Sequence, residues 1–272
     1  MKTNVVIYAN CQGVAVAKYL QLYSQSENLD ITCLENYKFT TGLLNLDDYL
    51  EPIRRADKFL FHPLQAKWGR LSTTAGEDNI VAMLKRECEL LTFPYVYNDA
   101  LWPLIQENDT FLRNHAALDC YLNEGAECAD LIELYNAGRL DFGFAERLTS
   151  TLDYLRYMER DTDIKVSDFV ANNVLRVDLF TTSNHPTNTV FAQIVPGIAK
   201  FLFGGDVEPV IHIESLDQSY PGLPGYLPID RYCIDDLGIR FKTSPDEWAG
   251  DYYRALISNY CAQIALAAPA VA

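Results

Sequence analysis

The N-terminal quarter of the chain alternates short apolar runs with helical stretches, and this rhythm constrains the fold more than any other feature. Asn4–Tyr8 reads as a strand, Gly13–Ser24 as a helix, Asp30–Leu34 as a strand, Leu46–Ala56 as an acidic helix and Lys58–Phe61 as a third strand. Strands joined through helices pair in parallel, so a βαβαβ order specifies a parallel sheet with helices on its faces. Val5-Val6-Ile7-Tyr8 is continuously apolar, as expected of a strand covered on both sides. The polar stretch after Phe61 leads to an expected helix over Thr74–Leu91, and FPYVY (93–97) reads as a further strand, giving four or five strands in all.

From Asn108 to Asn173 the pattern turns helical. Leu148, Leu152, Leu155 and Met158 recur at spacings of four and three and mark one apolar stripe. The stretch VLRVDLFTTSNHPTNTVF then offers an apolar run, a polar turn and a helix starting near Pro186 or Thr187. The alternating VIHIE follows, and residues 217–241, rich in Pro, Gly and Tyr, read as a loop lying over the body of the protein. The reading is a single α/β domain over 1–264 with a helical insertion or cap at about 108–173, and a flexible tail at 265–272.

A chain of 272 residues, 49% of them hydrophobic, buries a large core. The formal charge of −15 opposes binding to a nucleic-acid backbone but leaves room for a small anion held by local cations or a helix start. The N-terminus has no charged segment followed by an apolar one, and no apolar stretch is long enough for a membrane span, which places the protein in the cytoplasm. Seven cysteines, with none spaced C-x-x-C, fit free thiols rather than a disulfide framework or a zinc ribbon. No metal is expected. G-x-G-x-x-G and Walker motifs are absent.

The segment IYANCQGVAVAKYL places Cys11 where a buried strand hands over to a buried helix. Asn10, Gln12 and Gly13 suit a tight turn with backbone N–H groups pointing outward, a setting that favours anions and thiolates. Cys11 is a candidate nucleophile, or a small buried packing residue. Its base would be an imidazole. His115 and His212 have structural explanations, whereas His62 and His185 each precede a proline and close an apolar run, where a parallel strand delivers its side chain to the same edge as Cys11. Pro186 suits the first turn of a helix, and Ser183 and Asn184 can cap or donate beside it. Asp161 and Asp163 form a D-x-D pair more typical of solvated or capping carboxylates than of a cation site.

YANCQG after the first strand, FHPL, DIKVSDFV and above all LFTTSNHPTNTVF resemble, in this order from about Asn4 to Phe241, the WcbI-type proteins of capsular and surface polysaccharide biosynthesis. The resemblance implies an open α/β fold of SGNH or flavodoxin type that binds coenzyme A, and an acetyltransferase activity. It implies Cys11 at the place of the SGNH serine and His185 at that of its histidine. Two departures stand out: Ala9 replaces the usual glycine before N-C-Q, and Thr182 occupies the place of the SGNH aspartate, three residues before His185.

The function so implied is transfer of an acyl group, in the simplest case acetyl, from coenzyme A to a hydroxyl of a sugar or polysaccharide precursor. Cys11 and His185 would be catalytic. Asn10, Gln12, Gly13, His62, Ser183 and Asn184 would stabilise the oxyanion or bind substrate, and Lys67, Arg70 and Arg176 would meet the phosphates of acetyl-CoA. The alternatives are a non-catalytic CoA- or glycan-binding accessory protein and a thiol-dependent deacylase or esterase.

Overall fold

A computed structural model describes residues 2–74, 76–107, 111–113, 115–216 and 226–267. In chain order its elements are β1 (Thr3–Ala9), α1 (Cys11–Leu20), β2 (Leu29–Glu35), α2 (Asn36–Thr40), α3 (Leu50–Arg55), β3 (Lys58–Phe61), β4 (Glu89–Thr92), β5 (Ile105–Glu107) and β6 (Phe111–Arg113). The remainder are α4 (Ala116–Asn123), α5 (Cys128–Asn136), α6 (Phe144–Glu159), α7 (Ser167–Asn173), β7 (Phe180–Thr182), β8 (His185–Pro186), α8 (Asn188–Phe203), α9 (Arg231–Leu237) and α10 (Ala249–Ala267).

The chain divides into two compact units. The first comprises Met1–Tyr97, Asp153–Asn172 and His185–Gly225; the second comprises Asn98–Leu152, Asn173–Asn184 and Tyr226–Ala272.

The first unit is built on a four-stranded parallel sheet in the order β2-β1-β3-β4. β1 is buried from Val5 to Ala9, so its alternate side chains enter two different layers. Val6 and Tyr8 join Leu34, Phe39, Leu46, Ile53, Phe59 and Phe61 in one cluster. On the opposite face Gly13 lies so close to the sheet that a Cβ there would stand 2.9 Å from the Cβ of Ala9 and 3.1 Å from Cγ2 of Ile7. That contact brings the start of α1 down onto β1, and the ring of Tyr19 in α1 meets that of Phe191 in α8 at 5.1 Å.

Several expectations need correction. Among the described residues of 74–91 there is no α-helix: a short 3-10 turn covers Val81–Met83 and the chain then enters β4. The Leu and Glu content of this stretch favours helix, but the free edge of β3 pairs Lys58–Phe61 with Glu89–Thr92, and tertiary pairing outweighs local propensity. The strand expected at 93–97 therefore begins four residues earlier, and Phe93–Tyr97 carries no strand pairing. The first helix ends at Leu20 rather than Ser24. His212 precedes a 3-10 turn over Ile213–Ser215 instead of lying in a strand.

In the second unit β5 and β6 pair antiparallel, and α5 packs on α10. The loop expected over 217–241 contains α9, whose first turn is capped by the buried Asp230 through a 3.0 Å bond from the Tyr232 N–H. The part of that loop at 217–225 lies outside the described residues. So do residues 268–272 of the expected tail, whose first residues instead continue α10 through Ala267. The stripe on α6 is visible in burial: Leu155 is buried and Leu148, Leu152 and Met158 half-buried, with exposed residues between them.

Candidate active site

The site begins where β1 ends. Asn10 leaves the strand with extended backbone and caps α1, its side-chain oxygen accepting from the Gln12 N–H at 2.9 Å while its carbonyl accepts from the Gly13 N–H at 2.9 Å. Both amides are thereby engaged, so the outward-pointing donors expected at Gln12 and Gly13 serve the helix cap instead. The Gln12 side chain, 1% exposed, is equally committed: its Nε2 donates to the Val96 carbonyl at 2.7 Å and its Oε1 accepts from the Val96 N–H at 3.1 Å. This clamp fixes the first turn of α1 against the segment that follows β4.

Cys11 is the first residue of α1, half-buried, and its Sγ lies 3.6 Å from Nε2 of His185, which is 174 residues away in sequence. His185 lies just ahead of α8, whose start is anchored by Thr187 and Asn188, both fully buried. The Asn188 side chain donates to the carbonyls of Ile213 and Leu216 at 3.0 and 2.7 Å. Burial pushes the His185 imidazole down to about 4, so at neutral pH it is uncharged. The route to this position differs from the one expected: β7 is no part of the parallel sheet, and His185 reaches Cys11 through the start of α8.

His62 follows β3 at the expected edge, its N–H donating to the Tyr8 carbonyl at 3.1 Å. Its ring, however, is 3% exposed and packs against Phe93 with centroids 4.3 Å apart and against Tyr95 at 6.0 Å. Burial drives its pKa down to about 3, and Nε2 has no hydrogen-bond partner among the described residues. His62 is thus an enclosed neutral imidazole among aromatic rings.

The sequence reading missed Tyr37. Ala9 pairs with Glu35 in the parallel register, and both strands turn at once into helices, so Cys11 and Tyr37 occupy equivalent positions after neighbouring strands. Tyr37 is 40% exposed, and its hydroxyl donates to Glu35 Oε1 at 2.9 Å. Lys38 pairs with the other carboxylate oxygen. Burial, the Glu35 bond and, among lesser influences, the charge of Cys11 hold the phenol above its ordinary range. Only the knowledge that β2 lies beside β1 points to this residue.

The remaining candidates are spread between the units. Lys67 and Arg70 belong to the 3-10 segment Ala66–Leu71 of the first unit, which is tied to β1 by a 2.8 Å bond from the Tyr8 hydroxyl to the Leu71 carbonyl. Lys67 sits over the Trp68 ring at 5.7 Å, and Arg70 pairs with Asp47 at 2.9 Å. Arg176 is exposed in the second unit. Ser183 and Asn184 also belong to the second unit: the Ser183 carbonyl accepts from the Asn98 N–H at 2.7 Å, and Asn184 Oδ1 accepts from the Thr182 hydroxyl at 3.2 Å. Asp163 of the D-x-D pair accepts from the Thr92 N–H and hydroxyl, at 2.7 and 2.8 Å, while Asp161 pairs with Arg160 on the surface.

A sequence profile for "Polysaccharide biosynthesis enzyme WcbI" matches residues 4–202, from β1 through most of α8 and including both Cys11 and His185. The chain belongs to the WcbI family. A solved WcbI structure, presented as a polysaccharide biosynthesis enzyme in native form without a disulfide bond between coenzyme A and one of its cysteines, matches with a TM-score of 0.61. The match covers 98% of this chain and 96% of that one at 17% identity, a likeness of fold. No curated protein matches the chain. The WcbI family is thus one of polysaccharide biosynthesis enzymes, and this member presents a parallel α/β fold with a thiol and an imidazole in contact. Among its described residues no helix is long and apolar enough to cross a membrane.

Proposed function

We propose that this WcbI-family protein is a cytoplasmic, coenzyme A-dependent acyltransferase, acetyl in the simplest case, that modifies a hydroxyl of a sugar or polysaccharide precursor. The observation that carries the reading is the 3.6 Å approach of Cys11 Sγ to His185 Nε2. A nucleophile within reach of a base is the minimal arrangement for acyl chemistry. The solved relative is described as a form without a disulfide bond between coenzyme A and one of its cysteines, and this link of the relative to coenzyme A supports the choice of donor.

The residues of the first unit suit such a donor. Acyl-coenzyme A, when bound, would supply the acyl group from its thioester, with coenzyme A leaving as the free thiol. Trp68, 39% exposed, offers a stacking face for an adenine ring, and Lys67 and Arg70 on the same 3-10 segment offer charges for phosphates. At the reacting end, the neutral His185 takes a proton, either from the Cys11 thiol or directly from the acceptor hydroxyl. The half-buried setting of both groups limits water, which otherwise competes as an acceptor. The low basicity of His185 means that the pair rests as neutral thiol and neutral imidazole, so proton transfer accompanies attack. That same property favours the second reading, a CoA- or glycan-binding accessory protein in which the thiol is inert.

Calorimetric titration with coenzyme A, against ADP as control, tests the donor. Saturable binding of coenzyme A much tighter than that of ADP supports the reading, and no binding at millimolar coenzyme A removes it. Incubation with acetyl-CoA followed by peptide mass spectrometry then separates the routes. An acylated Cys11 establishes covalent transfer, while turnover of a sugar acceptor without it establishes direct transfer.

A further inference from the structure

At the opposite edge of the parallel sheet from Cys11, Lys2, Arg54, Arg55 and Lys85 converge on one cavity of about 540 Å³, with Asp30 and Asp57 as the acidic residues of its wall. The cavity lies where β1 and β2 begin, at the Asn4–Asp30 pair, and where α3 ends. Four cations against two carboxylates make a positive site in a chain whose formal charge is −15.

Of the two wall carboxylates, Asp57 is already engaged. Asp57 accepts from the Asn4 N–H at 2.8 Å and from its side-chain amide at 3.0 Å, and Lys85 pairs with its other oxygen. Arg55 pairs with Glu51 at 2.8 Å, but both side chains are about two-thirds exposed, at 66% and 70%, and such pairs exchange readily with a competing anion. Arg54 and Lys2 make no ion pair among the described residues, and both are exposed. The carbonyls at the end of α3 account for a cation in its last turn. Lys85 donates to one of them, the Arg55 carbonyl, at 3.4 Å, as well as pairing with Asp57, whereas Lys2 comes to the same cavity from another segment with no such partner among the described residues.

We propose that this cavity is a binding site for a phosphate-bearing small molecule, with Arg54 and Arg55 gripping the phosphoryl oxygens and Lys2 adding a third charge. A planar guanidinium presents paired donors that match two phosphoryl oxygens, which single-point ammonium groups do not. The limited extent of the basic patch in an acidic chain fits one small anion rather than a polyphosphate backbone. The site is independent of the acyl-transfer reading.

Titration calorimetry of the full chain at low ionic strength, with inorganic phosphate, pyrophosphate and glucose 1-phosphate as probes, tests the proposal. Saturable binding of at least one probe is expected, weakened about tenfold or more in Arg54→Gln/Arg55→Gln, as loss of charge-assisted bonds requires. It should be unchanged in Cys11→Ala. Glucose 1-phosphate binding more tightly than inorganic phosphate identifies a sugar phosphate as the source, and pyrophosphate binding most tightly identifies a diphosphate. Lys2→Gln, at an exposed position outside the sheet ladder, provides a second variant should the double substitution fold poorly, and it too should weaken binding. No saturable heat with any probe at millimolar concentration, or equal affinity in a folded variant, overturns the proposal.

Discussion

Gln12 and Val96 bond to each other in both directions, side-chain amide to backbone carbonyl at 2.7 Å and backbone N–H to side-chain carbonyl at 3.1 Å, with Gln12 wholly enclosed. A polar side chain buried one residue from the candidate nucleophile thus holds the helix start that carries the thiol.

Replacing Gln12 by Ala strands both backbone groups of Val96 in the interior. An unpaired buried polar group costs about 1–3 kcal/mol, so Gln12→Ala should lose roughly 2–4 kcal/mol of unfolding free energy. Urea denaturation followed by circular dichroism measures it; a loss below half a kilocalorie, within the scatter of surface substitutions (about 0.5 kcal/mol), would show that water replaces the clamp.

His185→Ala should lower acyl transfer by roughly 10²- to 10⁴-fold, the usual contribution of a positioned base, while leaving coenzyme A affinity nearly unchanged. Steady-state kinetics with a sugar acceptor, alongside titration of the donor, separates the two. Full turnover in the variant would remove the base from the mechanism.

Acid should weaken the fold earlier than the carboxylates require. His62 and His185 are held down to about 3 and about 4 from an ordinary 6.5, so the unfolded chain takes up their protons first. Their contribution to stability is complete above about pH 6.5 and is lost as the pH falls through the window toward 4, with a slope of about 1.4 kcal/mol per pH unit for each proton. Denaturation at pH 7, 6 and 5 should show this decline, and His62→Phe, which keeps an aromatic ring against Phe93, should flatten it. An unchanged slope in a folded variant would assign the decline to other groups.

Gly13 is a contact residue as much as a turn residue. The 2.9 Å approach to Ala9 leaves no space for a methyl group, so Gly13→Ala should destabilise by about 1–3 kcal/mol and shift α1 away from β1. Slower alkylation or lower activity at Cys11 should accompany the loss. A variant as stable as the parent would mean that helix and strand separate at no cost.

The strands β1, β2 and β3 were legible because short, mainly apolar runs alternate with helical stretches, and Lys58–Phe61 matches its expected limits. β4 was not legible, because Glu89-Leu90-Leu91-Thr92 follows a helix-favouring stretch and its strand state depends on the free edge of β3. The Cys11–His185 contact was suggested by two helix-start clusters and by the family resemblance, but its distance depends on where α8 is anchored. The state of His62 hinged on the way Phe93 and Tyr95 leave the sheet and close over its ring, and that of Tyr37 on strand order. These are tertiary facts with no local signal.

Because Ala9 and Glu35 are paired and each strand passes into its helix within two residues, the turn at Asn10 has no slack. Each residue of α-helix advances the direction of a side chain by about 100°, so one inserted or deleted residue between Ala9 and Gly13 would swing the thiol off the imidazole while leaving the sheet intact. Length polymorphism is therefore forbidden at this junction. Among naturally varying or recombined sequences of this architecture, those that change the length of the turn should be folded proteins that have lost the chemistry.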